Sequence, residues 1–219
     1  MSRAANQHRA VIVVFALLFT LSVGPLGPLN KVAQAQSKSD PQSKVAWTVE
    51  DATNSPQVAP VQRSWTAAGA TGTVDELSLP IAQQKNFATT FLPGTTGTVL
   101  VRYNITAVDG MNSFCPATSS LIKIRYRESD GPASAARVIV ELRSSNVLSG
   151  GNNLIISFDS NIFPNSGSGF ITVTGTAGID FDFSNKIYWI EAKISRTDAA
   201  QFADLGSLQV WESAGTPCP

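Results

Sequence analysis

Histidine is nearly absent from this chain: the one copy is His8, inside the first 35 residues. Those residues read as a segment removed on export, so the remaining chain would hold no histidine at all. That excludes Ser-His-Asp and Cys-His nucleophile systems, and zinc, copper or non-haem iron sites that rely on imidazole ligands. Cysteine is almost as scarce, with Cys115 and Cys218 as the pair. A zinc site built from thiolates alone needs four. No GxxxxGK[ST] phosphate loop occurs and no GxGxxG follows a strand. There is also no helical period of ten or more residues after the leader.

The leader itself is well marked. Arg3 and Arg9 precede an apolar run from Val11 to Val23, Gly24, Pro25, Gly27 and Pro28 end it, and Ala33-Gln34-Ala35 supplies a small-x-small cleavage signature. The run is shorter than the roughly 20 apolar residues of a membrane span. Residues 1–35 are therefore expected to be a signal peptide cleaved after Ala35, and the protein is expected outside the cell, at its surface or in a periplasm. No later apolar run would hold the processed chain in a membrane. The leader carries Arg3, Arg9 and Lys31 and no acid, so the 184 residues left have 13 basic and 16 acidic side chains, a formal charge of −3. That balance argues against a nucleic-acid partner. Export favours a disulfide between Cys115 and Cys218; unpaired thiols and pairing between molecules are the alternatives.

After a polar linker over 36–44, the dominant period is two, as in half-buried strands. Val45, Trp47 and Val49 begin it. Leu77, Leu79 and Ile81 follow, then Val99 to Ala107, Ile122 to Tyr126, Val138 to Leu142, Leu154 to Phe158, Ile179 to Phe183, Tyr188 to Ile194, and Leu208 with Val210. Turn residues separate the runs: Pro93-Gly94, Asp109-Gly110, Asp130-Gly131-Pro132, Gly150-Gly151-Asn152-Asn153 and 165–169. Thr197 to Phe202 is the best short helix, capped by Thr197 or Asp198. The expected fold is all-β: one antiparallel β-sandwich over 45–219, of jelly-roll type.

The phrases ARVIVELRS, ISFDSNIFPNSG and FDFSNKIYWIEAKISR, between Arg137 and Arg196, resemble an uncharacterised domain of exported proteins in environmental bacteria. The resemblance implies a bacterial, cell-exterior β-sandwich and carries over no functional residue.

Four constellations could carry chemistry. Arg102, Lys123, Arg125, Arg127, Arg137, Arg143 and Lys193 all fall on wet positions of their strands, against Glu141 and Glu191. If the strands are neighbours, the cations share one face, and its field could attract acidic polysaccharide; otherwise they pair with the two acids. On the first reading, replacing Arg125 and Arg127 with Glu should abolish glycan binding and leave stability nearly unchanged. Trp189 and Trp211 stand out of phase with their apolar neighbours and could stack on sugar rings. Asp180 and Asp182 share a strand face and could take Ca²⁺ with Asn185 or Asp159, the one cofactor the chain suggests. The carboxylates could also serve a glycosidase or lyase.

The sequence thus favours a secreted, non-catalytic module that binds polysaccharide or other cell-surface components, through Trp189, Trp211, Lys123, Arg125 and Arg127. The alternative is a self-associating subunit of an extracellular matrix or filament, with Gln36 to Glu50 lent as a strand to a neighbour. A carboxylate enzyme ranks third.

Overall fold

The structure, a computed structural model, describes residues 46–50, 64–107, 120–162, 167–179 and 181–212. The expected signal peptide and linker, Asp180, and the two cysteines of the expected Cys115–Cys218 bridge fall outside these residues. In chain order the strands are β1 (Ala46–Glu50), β2 (Ser64–Ala68), β3 (Thr73–Val74), β4 (Ala82–Lys85), β5 (Ala88–Phe91), β6 (Gly97–Ile105), β7 (Ser120–Glu128), β8 (Ala136–Asn146), β9 (Gly150–Asp159), β10 (Ile171–Ala177), β11 (Lys186–Arg196) and β12 (Ala203–Glu212).

They form two antiparallel sheets. The first runs β1-β10-β7-β12-β5-β4, with β2 also on β12; the second runs β3-β6-β11-β8-β9. The hairpin β8–β9 is enclosed by the pairs β7–β10, β6–β11 and β5–β12. This nesting is one long antiparallel hairpin rolled into two layers, the jelly roll. Successive strands β5 to β8 and β9 to β12 alternate between sheets, so neighbours in sequence face each other across the core.

Alternation decides what lies inside. Val99, Val101, Tyr103 and Ile105 of β6, Val138, Val140 and Leu142 of β8, and Tyr188, Ile190, Ala192 and Ile194 of β11 meet Ile122, Ile124 and Tyr126 of β7 with Leu208 and Val210 of β12. Each large aliphatic side chain buried there contributes about 1.5–3 kcal/mol.

Three local expectations are corrected. Leu77, Leu79 and Ile81 form no strand but consecutive tight turns: the Ser78 N–H donates to the Asp75 carbonyl (2.9 Å), and the Ile81 N–H to that of Ser78 (3.1 Å). The Asp75 carboxylate accepts the Leu77 N–H (3.1 Å), Pro80 has no N–H to give a ladder, and Leu77 ends 90% exposed. Phe181 and Phe183 also lie off the sheets. Asp182 turns the chain, its carbonyl accepting the Lys186 N–H (2.9 Å), and both rings pack on Tyr188 at 4.9 and 5.1 Å. Thr197 to Phe202 is a single turn around Asp198, not a helix; the Asp198 carboxylate accepts the Ala200 N–H (2.9 Å). One further observation bears on the filament reading. Residues 46–50, the end of the segment that would be lent to a neighbour, pair with β10 of their own chain.

Candidate functional site

The sheet topology divides the seven cations. Lys123, Arg125 and Arg127 lie on β7, on the outer face of the first sheet. Arg102 (β6), Arg137 and Arg143 (β8) and Lys193 (β11) lie on the outer face of the second. One shared cationic face therefore does not form, because β7 crosses the core from its sequence neighbours β6 and β8.

The two groups have different partners. On the second sheet the partners are carboxylates. Arg102 pairs with Glu191 (3.2 Å), Arg143 with Glu141 (2.7 Å), and Lys193 lies between Glu141 (3.4 Å) and Glu191 (3.5 Å). Arg137 reaches Asp159 through two N–H groups. Burial raises the Glu141 carboxyl, but the hydrogen bond and charge of Arg143, with Lys193 behind them, more than offset this and hold it below its ordinary range.

On the first sheet the cations lie against rings. The Arg125 guanidinium carbon lies 5.1 Å from the Phe87 ring centre and 5.3 Å from that of Phe170. The Arg127 carbon lies 5.3 Å from Phe170 and 4.3 Å from Phe202. The result is a ladder, Phe87–Arg125–Phe170–Arg127–Phe202, with Phe87 and Phe170 also in direct contact at 5.3 Å. Phe87 and Phe202 are each 40% exposed. The rings come from three junctions: Phe87 from the β4–β5 turn, where Asn86 has φ 55°, Phe170 from the residue before β10, and Phe202 from the residue before β12. Gly206, at the irregularity in the β7–β12 pairing, gives Phe170 its place; a Cβ there would stand 3.0 Å from two ring carbons. Arg127 carries a second duty. It is ion-paired with Asp204, whose side chain is only 2% exposed. Exchanging Arg127 for Glu therefore cannot leave stability nearly unchanged.

The tryptophans do not form one platform. Trp189 is half-buried on the outer face of the second sheet, in register with Asn104 and Arg143. Trp211 is on the first sheet, in register with Leu121 and Ser64, and its exposure is only 9%. The Lys123 ammonium sits 5.4 Å from its ring centre. Trp211 thus extends the cation–ring theme as a covered member rather than an open stacking surface. Asp182 uses its carboxylate on Asn185, accepting from the side-chain amide (3.0 and 3.2 Å) and the backbone N–H (3.2 Å). These bonds hold its carboxyl below the ordinary range.

Phe87, Phe170 and Phe202 were not legible as site residues from periodicity, since none belongs to an alternating run. The signal that marks them is an aromatic side chain directly after a polar turn: Asn86-Phe87, Ser168-Gly169-Phe170 and Gln201-Phe202.

No family model matches this chain, and no curated protein matches it in sequence. Among solved structures it is similar to a xylan-binding module, CBM15, at 12% identity and a TM-score of 0.38, over 78% of this chain and 99% of that one. It is also similar to CBM35 from Cellvibrio japonicus Abf62, at 16% identity and a TM-score of 0.29, over 70% and 95%. A third is the family 11 carbohydrate-binding module from Clostridium thermocellum, at 14% and 0.27, over 76% and 92%.

Proposed function

We propose that this chain is a secreted, non-catalytic carbohydrate-binding β-sandwich whose ligand is an acidic polysaccharide, taken on the outer face of the first sheet. The observation that carries the reading is exposed Arg125 set against Phe87 and Phe170 on the outer face of β7, with Arg127 and Phe202 next along the strand. A guanidinium lying against a ring spends its face, while its N–H donors stay in its plane and suit a carboxylate or sulfate. Half-exposed rings beside it offer apolar surface to the C–H face of a sugar. The two chemistries lie side by side around Arg125, as an anionic glycan requires.

The carboxylate-enzyme reading draws less support. Glu141 and Glu191 are opposite each other on β8 and β11, but Arg143, Arg102 and Lys193 hold them as neutralised anions, unsuited to donating a proton. Among the described residues the carboxyl raised well above its ordinary value, Glu128, is buried.

Affinity electrophoresis tests the proposal. The processed chain is run through gels holding polygalacturonate, alginate or neutral xylan. Retardation by the acidic polymers, weakening steeply between low and high salt, is expected. Arg125→Gln and Phe87→Ala should each reduce it while the circular dichroism spectrum is unchanged. Equal migration in all gels, or full retardation of both variants, would refute it.

A further inference from the structure

The same strand hides a second polar constellation on its inner side. Tyr126 Oη, both carboxylate oxygens of Glu128, Asp130 Oδ1 and Asn161 Oδ1 are all buried without a hydrogen-bond partner among the described residues. Glu128 is 1% exposed; it continues the inward series of Ile122, Ile124 and Tyr126 and ends β7 inside the protein.

The neighbours are fixed by their other atoms, which leaves these oxygens where they are. Asp130 Oδ2 accepts the N–H groups of Ala135 (2.7 Å) and Ala136 (3.0 Å). The Asn161 amide nitrogen donates to the Ala133 carbonyl (2.8 Å), which fixes the amide's orientation. The Ser160 hydroxyl accepts the Val138 N–H (2.8 Å), and the Arg137 guanidinium is occupied by Asp159. Burial before all else pushes the Glu128 carboxyl up to about 8; the Ser160 hydroxyl works against this, and the Asp130 and Asp159 carboxylates add to it. A buried carboxyl flanked by Asp130 and Asp159, with only the Ser160 hydroxyl and the Arg137 charge to favour its anion, is costly to ionise unless a further positive charge joins it.

The orphaned atoms are all oxygens, and the anchored carboxylate and amide present acceptor sites only. We propose that Glu128, Asp130 and Asn161 hold a divalent cation of the Ca²⁺ type, which ties the end of β7 and the turn after it to the segment Ser160–Ile162. Hard cations take several oxygen ligands, mixing carboxylates with amide and main-chain carbonyls and water. No group of three or more His, Cys, Asp or Glu side chains able to hold a metal occurs among the described residues. The set is therefore mixed: two carboxylates and one amide, completed by main-chain carbonyls or water. This site is distinct from the Asp180 and Asp182 pair, since the Asp182 carboxylate is engaged by Asn185. It also stands apart from the glycan reading, for Glu128 points away from the face that carries Arg127.

The test uses the processed chain stripped with EDTA, with CaCl2 or MgCl2 as the probe, and reads the melting temperature and calorimetric titration. Calcium should raise the melting temperature by several degrees in a saturating, concentration-dependent way, and magnesium less. In Glu128→Gln the shift should vanish while the stripped variant melts no lower than the stripped parent, because the amide is a neutral isostere of the buried carboxyl. Asp130→Asn, a second route if that variant misfolds, should weaken calcium binding at least tenfold. Asp182→Asn should keep the full shift. No calcium effect on the parent in either measurement, or an undiminished shift in Glu128→Gln, would overturn the proposal. Failure of polysaccharide binding would not touch it.

Discussion

Arg125 and Arg127 are two residues apart on one strand face, and both stack on Phe170. Their removal should nonetheless have very different costs. Arg125 is exposed and lies over two rings, each such contact worth about 0.5–1 kcal/mol at an exposed site. Arg125→Gln should therefore destabilise by about 1–2 kcal/mol. Arg127→Gln loses comparable stacks and also strands Asp204, whose side chain is 2% exposed, without its counter-charge. Breaking one side of such a pair costs about 3–5 kcal/mol. Arg196 is near enough to attract Asp204, which places the loss in the lower part of that range. For a domain of this size about 3 kcal/mol corresponds to roughly 6–12 °C in melting temperature. Urea denaturation of both single variants, of Asp204→Asn and of Arg127→Gln with Asp204→Asn completes the cycle. The double variant should recover most of the loss, with a coupling energy above about 1 kcal/mol. Equal midpoints for Arg125→Gln and Arg127→Gln, or a coupling near zero, would refute the assignment of Arg127 to a structural ion pair.

Two further outcomes follow from other parts of the chain. Glu141 is held below its ordinary range in the folded protein, so its contribution is present above the unfolded value of 4.5 and is lost as pH falls through the lower folded value; Glu141→Gln should flatten the acid limb of a stability curve below about pH 4.5 and lower stability near neutrality, and an unchanged acid limb would count against the Arg143 and Lys193 clamp. Cys115 and Cys218 are expected to be joined, so unfolded, unreduced protein should show no thiol to Ellman's reagent, and Cys218→Ser should melt several degrees lower, since closing a loop of about 100 residues is worth roughly 4–5 kcal/mol in the chain-entropy model; two titratable thiols would contradict the bridge.

The period of two carried most of the fold. Strands β6, β7, β8 and β11 lie where the alternation put them, because each has one face in the core and one in water. It failed where side-chain hydrogen bonds replaced the ladder: at Leu77 to Ile81, where Asp75 caps a turn, and at Phe181 and Phe183, where Asp182 does. Local pattern also cannot state which sheet a strand joins. The phases of Arg102, Arg125 and Arg143 were legible as outward, but the nested pairing that sends β7 to one sheet and β6 and β8 to the other is a property of the whole chain. Trp211 was legible as out of phase with Val210, yet not as covered. Glu128 could have been found: the inward series Ile122, Ile124, Tyr126 reaches it at the next step, and an acid in that phase is the anomaly.

The division of cations between the sheets bears directly on which face can recognise a ligand. On the second sheet an arriving glycan carboxylate must compete with Glu141 and Glu191 for donors already engaged at 2.7–3.5 Å. Such a ligand exchanges one ion pair for another and gains little, since exposed pairs are worth at most about 1 kcal/mol. On the first sheet the competition is weaker. Arg125 lies beside the touching rings of Phe87 and Phe170 and, among the described contacts, has no carboxylate partner, so an anion reaching it adds a bond without breaking an ion pair. The rings also hold the side chain in place before the ligand arrives, which lowers the ordering cost of binding. Arg127 directs Nε and Nη2 to Asp204 and lies against Phe170 and Phe202 at the end of the ladder. If the proposed acidic glycan is the ligand, its recognition should therefore centre on Arg125, with Arg127 tied to Asp204 beside it.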